Sequence, residues 1–235
     1  MFVRVGRLRG SAPPNDPHLL SESHTLMSLD LQTGPMTATP TTEGVYRVLE
    51  STRDEDERDG EEWLLLDVET GDPTYVPRAD LDAAAGNRVR ATIAWPDGDP
   101  RVEESEVVAD TRFAFTRTRE PLFEDAHTCW RDAEEAGEGM ASRVTHGTDG
   151  QPNGVVYAFA DQPGSRDLYE EFRDGGKPLD PLLARLSESV DPPFEAFVID
   201  HTGEPFLVVL LAFERDGLLA GTVRETYFGG RSLLP

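Results

Sequence analysis

Short runs in which apolar and polar residues alternate follow one another through the first half of the chain. An apolar side chain at every second position is typical of a half-buried strand, and residues 89–95 show this alternation most clearly. Gly, Pro and Asp separate the runs, and a helical stretch at residues 79–85 ends at Gly86. The predicted strands are residues 45–50, 63–69, 74–77, 89–95 and 107–115. This order predicts a small OB-like antiparallel β-barrel, although a small unrelated β-barrel also fits.

The apolar spacing changes to three and four residues in the second half. Phe123, Ala126, Trp130 and Ala133 form one stripe of a helix. Two pairs of strands follow, and helical segments that begin at residues 168 and 180 lie between the pairs. The predicted strands are residues 141–146, 155–160, 194–199 and 206–213. Residues 218–228 follow an Asp-Gly hairpin signal, which favours a further strand, although their apolar spacing could also be helical. The pattern predicts an α+β fold: an antiparallel sheet with helices on one face.

These patterns divide the chain into three parts. Residues 1–36 are rich in Pro and balance three Arg against three acidic residues, so we predict a disordered or mis-annotated tail. Residues 37–119 are predicted to form the OB-like β-barrel. Residues 120–235 form an α+β domain with two helix–hairpin units.

Charge and composition exclude several classes of protein. The chain has 45 acidic residues against 22 Lys and Arg, for a net charge of −23. A nucleic-acid binder that works by bulk positive charge is therefore excluded, and a single Cys excludes a disulfide scaffold. The longest apolar run, residues 206–213, is far shorter than the roughly 20 residues that span a bilayer. We expect a cytoplasmic protein that makes no membrane contact.

The balance of cations adds a prediction about the solvent. Lys occurs once and Arg supplies the other cations, whereas charge networks adapted to heat are rich in Lys. In molar salt the Debye length falls to about 3 Å, so that repulsion among the acids largely disappears. The composition resembles that of cytosolic proteins of extremely halophilic archaea, and the chain is similar to uncharacterised families of those organisms. The resemblance implies a salt-rich habitat and no activity, and a GC-rich genome would produce the same excess of Arg.

Arginines on the predicted barrel are the first candidate site. They cluster on two strands, with no acid between Asp110 and Glu120. The candidate ligand-binding residues are Arg88, Arg90, Arg112, Arg117 and Arg119. Such a face could hold single-stranded nucleic acid or a protein partner, which predicts a non-enzymatic binding or adaptor module. The simpler interpretation is that these arginines pair with nearby carboxylates.

Polar residues at the two hairpin turns of the second half are the alternative site. If both hairpins lie in one sheet, their turns could meet and supply acid–base catalysis for a small hydrolase-like or metal-dependent enzyme. The candidates are His146, Asp200, His201 and Glu204. Adding His127 and Cys129 gives no closed zinc spacing, so we predict neither a metal site nor a cofactor.

Three further features of the sequence are Lys177, Cys129 and the apolar strand at residues 206–213. Lys177 is followed by Pro, which excludes a phosphate-binding Walker loop, and we interpret it as a loop residue. Cys129 lies beside the apolar helix stripe and is predicted to be a small buried residue. The apolar strand at 206–213 needs cover on both faces, which a homo-oligomer would provide.

Overall fold

The computed structural model describes residues 39–52, 62–161, 164, 167–187 and 193–229. The described residues belong to one compact unit. The tail predicted for residues 1–36 lies outside the described residues, as do residues 53–61.

The first half forms a five-stranded antiparallel sheet. Its strands are β1 (Thr41–Glu50), β2 (Glu62–Asp67), β3 (Pro73–Pro77), β4 (Arg88–Ala94) and β5 (Arg101–Ala109). They lie in the order β3-β2-β1-β4-β5. Val48, Leu65 and Ile93 are fully buried on one face of the sheet, as the period-2 alternation predicts.

The OB-like barrel is not confirmed, because this sheet is open. β3 and β5 are its two edges and share no backbone ladder in the described residues. An ion pair between Arg101 and Asp80 links β5 to the 3-10 turn Arg78–Asp80. β5 is exposed along almost its whole length and carries three glutamates, so it forms a solvent-facing edge of the open sheet.

A second five-stranded sheet follows. Its strands are β6 (Arg112–Thr118), β7 (Met140–His146), β8 (Pro152–Ala160), β9 (Glu195–His201) and β10 (Phe206–Ala212). They lie in the order β6-β9-β10-β8-β7. β6 runs parallel to β9, and every other neighbouring pair is antiparallel. Together with four helices in the described residues, the two sheets confirm the α+β class.

The strand predicted at residues 107–115 is two strands in different sheets. The chain leaves the first sheet after Ala109 and enters the second at Arg112. The side chain of Asn87 donates to Thr111 O at 3.1 Å and to Asp110 Oδ1 at 3.1 Å, which holds the chain at this crossing. The second sheet therefore begins before residue 119, where the sequence pattern placed the boundary between the two parts.

The helices are α1 (Glu124–Ala136), α2 (Leu168–Arg173), α3 (Asp180–Ser187) and α4 (Leu218–Tyr227). The strand predicted at residues 218–228 is wrong, because this segment is α4. Leu219, Val223 and Tyr227 recur every four residues and pack against the second sheet. Gly217, predicted to be part of a hairpin turn, is the N-cap of this helix.

Helices cover both faces of the second sheet, whereas the sequence pattern predicted one face. α1 and α4 pack on the face that includes Phe206, Val208 and Leu210. α2, α3 and side chains of the first sheet pack on the face that includes Leu207 and Val209. β10 is thus buried on both faces by its own chain, so its apolarity no longer argues for a homo-oligomer.

The turn before β4 joins the two sheets. Gly86 N donates to Val48 O at 2.8 Å, and Phe113 N donates to Ala85 O at 2.9 Å. Gly86 has φ +94°, and a Cβ there would lie 2.5 Å from Phe113 N. Glycine is therefore required at this position, both for the backbone conformation and for the close approach of β6.

Candidate functional site

The two arginines on β4 are paired with carboxylates. Arg88 Nη2 lies 2.6 Å from Asp180 Oδ1, and Arg90 Nη1 lies 3.1 Å from Glu106 Oε2. The simpler interpretation of these arginines, that they pair with nearby carboxylates, therefore matches their geometry.

The other three candidate arginines lie on or just after β6, in the second sheet. Arg112 stands opposite Glu195 in the parallel register and acts on it electrostatically. Arg117 forms ion pairs with Asp167, Glu170 and Asp200. Arg119 is exposed. Four of the five arginines are thus divided between two sheets, Arg119 follows β6, and at least three of the five are engaged by carboxylates.

The turn histidines do not come together. β8 and β10 are antiparallel, so the β7–β8 turn and the β9–β10 turn lie at opposite ends of the sheet. His146 is separated from His201 by the length of a strand, roughly 20 Å. His201 Nδ1 accepts from Gly203 N at 3.1 Å, and Glu204 N donates to His201 O, both within the second turn.

His127 and Cys129, the other two candidate metal ligands, also lie away from these turns. Cys129 is buried in α1, where its thiol contacts Val156 O at 3.7 Å. His127 lies edge-on against Phe206, with 5.9 Å between ring centroids. Within the described ranges, no group of three His, Cys, Asp or Glu is placed to hold a metal ion.

A cleft of about 930 Å³ opens at one end of the second sheet. β8 and β9 end there and β7 and β10 begin there, while α2 and the loop after it form a wall. Phe159, Leu207 and Tyr169 are buried side chains that line it. The volume lies within the range of small-molecule sites, roughly 300–1,000 Å³.

Carboxylates surround this apolar floor. They come from the segment before β7, from the ends of β8 and β9, and from α2 with its N-cap. The acidic lining residues are Glu138, Asp161, Asp167, Glu171 and Asp200. Of the four residues predicted for acid–base chemistry, only Asp200 lines the cleft.

Arg117 fixes two of these carboxylates. Its Nε donates to Asp200 Oδ2 at 2.9 Å, and its Nη2 donates to Asp167. Its guanidinium carbon lies 4.5 Å from the centroid of the Tyr169 ring. Asp167 also caps α2, since its side chain accepts from Tyr169 N and Glu170 N. Asp167 and Asp200 are thus held in place by contacts within the chain.

Asp161 is different from its neighbours. Its carboxylate has no hydrogen bond or ion pair with any residue that the structure describes. Partial burial raises the pKa of Asp161, and the charges of Asp200 and Asp167 raise it further. Asp161 is therefore an exposed carboxylate in a negative environment, and no cation among the described residues is paired with it.

Lys177, the single lysine, lines the same cleft. Its Nζ lies 5.5 Å from the centroid of Phe159 and 5.7 Å from that of Phe172. The ammonium makes no ion pair or hydrogen bond within the described part of the chain. Lys177, interpreted from the sequence as an ordinary loop residue, belongs to the candidate site.

Sequence reasoning missed most of this site. Asp161 directly follows β8 and Asp200 lies near the end of β9, and acids at strand ends are a usable signal once the strand order is known. Asp167 carries the signature of an N-cap, which by itself indicates only the start of a helix.

The fold and cleft define an α+β protein with two five-stranded sheets and a site of small-molecule size at one end of the second. The chain belongs to a family of unknown function, DUF6663, which matches residues 38–232. No curated protein and no solved structure matches the chain. In the described residues, no helix has the length and apolarity needed to cross a bilayer.

Proposed function

We propose that the chain is a non-enzymatic binding protein whose cleft holds a small organic cation. The observation that carries this proposal is the Asp161 carboxylate, which has no partner among the described residues and lies in a cleft with an apolar floor. A ligand with an ammonium group and a short apolar body would meet both features.

The contacts available to such a ligand are specific. Its ammonium would donate to Asp161 and to Asp200, and charge-assisted hydrogen bonds are roughly twice as strong as neutral ones. Its hydrocarbon part would lie on Phe159 and Leu207, which are 8% and 1% exposed. The net charge of −23 also raises the local concentration of cations at low ionic strength.

The arginine face supports a nucleic-acid or protein partner less well than the cleft supports a cation. Arg88, Arg90 and Arg117 already contact carboxylates. A phosphate would have to displace these partners, and phosphate contacts weaken steeply with salt.

Calorimetric titration with hexylammonium and with hexanoate tests the proposal. We expect hexylammonium to bind and hexanoate not to bind. Asp161→Asn should weaken hexylammonium binding about tenfold, the loss of one charge-assisted hydrogen bond. Asp82→Asn is the matched control, because Asp82 is an exposed acid in the loop before β4 and away from the cleft.

Two outcomes would contradict the proposal. The first is the absence of hexylammonium binding to the folded wild type. The second is equal affinity in the wild type and in Asp161→Asn. Retention of oligo(dT) in a filter assay, without any amine binding, would favour the arginine face instead.

One observation favours a second candidate, a hydrolase that uses acid–base catalysis. Asp161, whose pKa is raised, lies near Asp200, which is ion-paired with Arg117. Two carboxyl groups in different environments can act as proton donor and base. Incubation with p-nitrophenyl esters and glycosides separates the candidates: turnover lost in both Asp161→Asn and Asp200→Asn indicates the hydrolase, and binding without turnover rejects it.

We also infer that the binding takes place in a salt-rich cytosol. The acidic composition with a single Lys supports this setting. There the long-range attraction of cations would be screened. Affinity would then rest on direct contacts with Asp161 and Asp200 and on burial of the apolar part of the ligand.

A further inference from the structure

Lys177, at the cleft wall, forms no ion pair with any residue that the structure describes, although the chain is rich in acids. All the ion pairs between described residues are made by arginines. Lys177 lines a cleft together with five carboxylates and still pairs with none of them. Its three N–H donors are available to a bound molecule.

The position of Lys177 is fixed by its loop. Lys177 N donates to Glu171 O at 2.7 Å, and Gly176 N donates to Asp174 Oδ1 at 2.8 Å. Gly175 has φ +76°, and a Cβ there would lie 2.9 Å from Leu49 Cδ1. The loop therefore packs closely against the first sheet, which places the start of the lysine side chain at the cleft.

Lys177 is exposed, and its ammonium lies over the rings of Phe159 and Phe172. The Nζ distances of 5.5 and 5.7 Å to their ring centroids are within the range of cation–π contacts. An ammonium is a compact point charge with three donors, whereas the planar fork of an arginine favours bidentate pairing with a carboxylate. A lysine that lies beside the cleft with its three donors unpaired among the described residues is suited to receive an anionic group that enters the cleft.

We propose that the ligand is a zwitterion with a primary ammonium and a carboxylate, and that Lys177 binds the carboxylate while Asp161 binds the ammonium. This inference rests on the proposed function and adds the anionic end of the ligand. Among the described residues that line the cleft, a purely anionic molecule would meet five acids and one cation. A zwitterion places a favourable charge at both ends and its hydrocarbon part on the apolar floor.

The test compares each ω-amino acid with the alkylamine of the same chain length. β-Alanine, 4-aminobutyrate and 6-aminohexanoate are titrated against propylamine, butylamine and hexylamine at constant ionic strength. We expect at least one amino acid to bind about tenfold more tightly than its amine, which corresponds to one charge-assisted hydrogen bond. The length that shows the preference is the one that spans the two charges.

Lys177→Met keeps the length and apolarity of the side chain and removes its charge. In this variant we expect the amino acid and the amine to bind equally, at the level of the wild-type amine. Arg131→Gln is the matched control, because Arg131 is an exposed cation on α1, on the opposite face of the sheet, and the preference should persist there.

The outcomes separate the two proposals. If amines bind and no amino acid binds more tightly than its amine, the zwitterion inference is overturned while the cation-binding function stands. If the preference survives in Lys177→Met, the role of Lys177 is overturned. If neither series binds the folded wild type, both proposals fail.

Discussion

Asp180 begins α3 and accepts hydrogen bonds from two arginines of the first sheet. Arg47 Nη2 and Arg88 Nη2 each lie 2.6 Å from Asp180 Oδ1. Burial opposes ionisation of Asp180, but the hydrogen bonds and charges of Arg47 and Arg88 outweigh it and lower the pKa of this carboxyl. Arg47 is 3% exposed, so Asp180 neutralises a charge that is almost removed from water.

Asp180→Asn should therefore destabilise the fold. Removal of one partner from a buried ion pair costs about 3 kcal/mol or more, because the other charge stays buried. Since the folded-state pKa lies below the ordinary value of 3.8, the stabilisation is fully present above that value and is lost as the pH falls through the folded-state pKa. Urea unfolding measures the difference in unfolding free energy between wild type and variant. We expect this difference to be large at pH 7 and pH 5 and smaller at pH 3.

A matched comparison is Glu106→Gln, which removes the exposed ion pair with Arg90. We expect little change in unfolding free energy there, as is usual for exposed pairs. Two results would contradict the role assigned to Asp180. One is an equal loss of unfolding free energy in the two variants, and the other is a difference between wild type and Asp180→Asn that does not become smaller at pH 3.

Glu195 shows the opposite response to pH. It is fully buried at the start of β9, and burial raises its pKa although the positive charges of Arg224 and Arg112 act against this. Its Oε2 pairs with Arg224, whereas Oε1 has no partner in the part of the chain described. Because the folded-state pKa of Glu195 lies above its ordinary value, its contribution to stability falls as the pH rises through that folded-state pKa.

At the scale of elements, Arg117 connects three pieces of the second half. It lies on β6, pairs with Asp200 on β9, and pairs with Asp167 and Glu170 at the start of α2. α2 has only six residues, and a helix of that length is not stable without tertiary contacts. The buried side chains of Tyr169 and Phe172 supply the apolar part of those contacts.

We expect Arg117→Gln to loosen α2 locally. The variant leaves neighbouring carboxylates without their cation and removes the contact with the Tyr169 ring, so amide exchange within α2 should become faster. Exchange in β8 and β10 should stay as in the wild type. Hydrogen exchange followed by mass spectrometry measures both regions.

Arg173→Gln is the control for this prediction, because Arg173 lies on the same helix and its ion pair is with Glu170, three residues away. Unchanged exchange in α2 of Arg117→Gln would show that Tyr169 and Phe172 suffice to hold the helix. A uniform increase over the whole chain would indicate a global rather than a local effect.

Elements were more predictable than the way they assemble. The apolar stripe from Phe123 to Ala133 predicted α1, and the local spacing predicted the two hairpins β7–β8 and β9–β10. All of these elements are present in the structure. The placement of β6 beside β9 depends on pairing between residues more than 80 positions apart, which periodicity cannot report. The strand prediction for the α4 segment fails because an Asp-Gly pair signals a hairpin turn and here precedes a helix.

The cleft could not be predicted for the same reason. Met140, Asp161, Asp200 and Leu207 meet because β8 lies between β7 and β10 and because β10 pairs with β9. The sequence contains these residues but not the strand order. That order also separates His146 from His201, although both lie at hairpin turns of the same sheet.

On the scale of the whole molecule, acids exceed the cations available to them. Arg117 forms ion pairs with three carboxylates, and Arg143 forms ion pairs with two, Asp125 and Asp132. The glutamates of β5 are exposed along an edge strand. Such charges protect an edge from pairing with other chains, and at low ionic strength they also repel one another over a Debye length of about 10 Å.

We therefore expect the Tm to rise by several degrees between 0.1 M and 2 M KCl. The Debye length falls to about 3 Å at 1 M, which removes most of the repulsion, and each kcal/mol gained raises the Tm of a chain of this size by about 2–4 °C. A variant with Glu103, Glu104 and Glu106 all changed to Gln should show a smaller rise, because it begins with less repulsion. Sucrose, which stabilises by exclusion from the surface without screening charge, should raise the Tm of the two proteins equally. A Tm that is flat in KCl would show that the acidic surface is not an adaptation to salt.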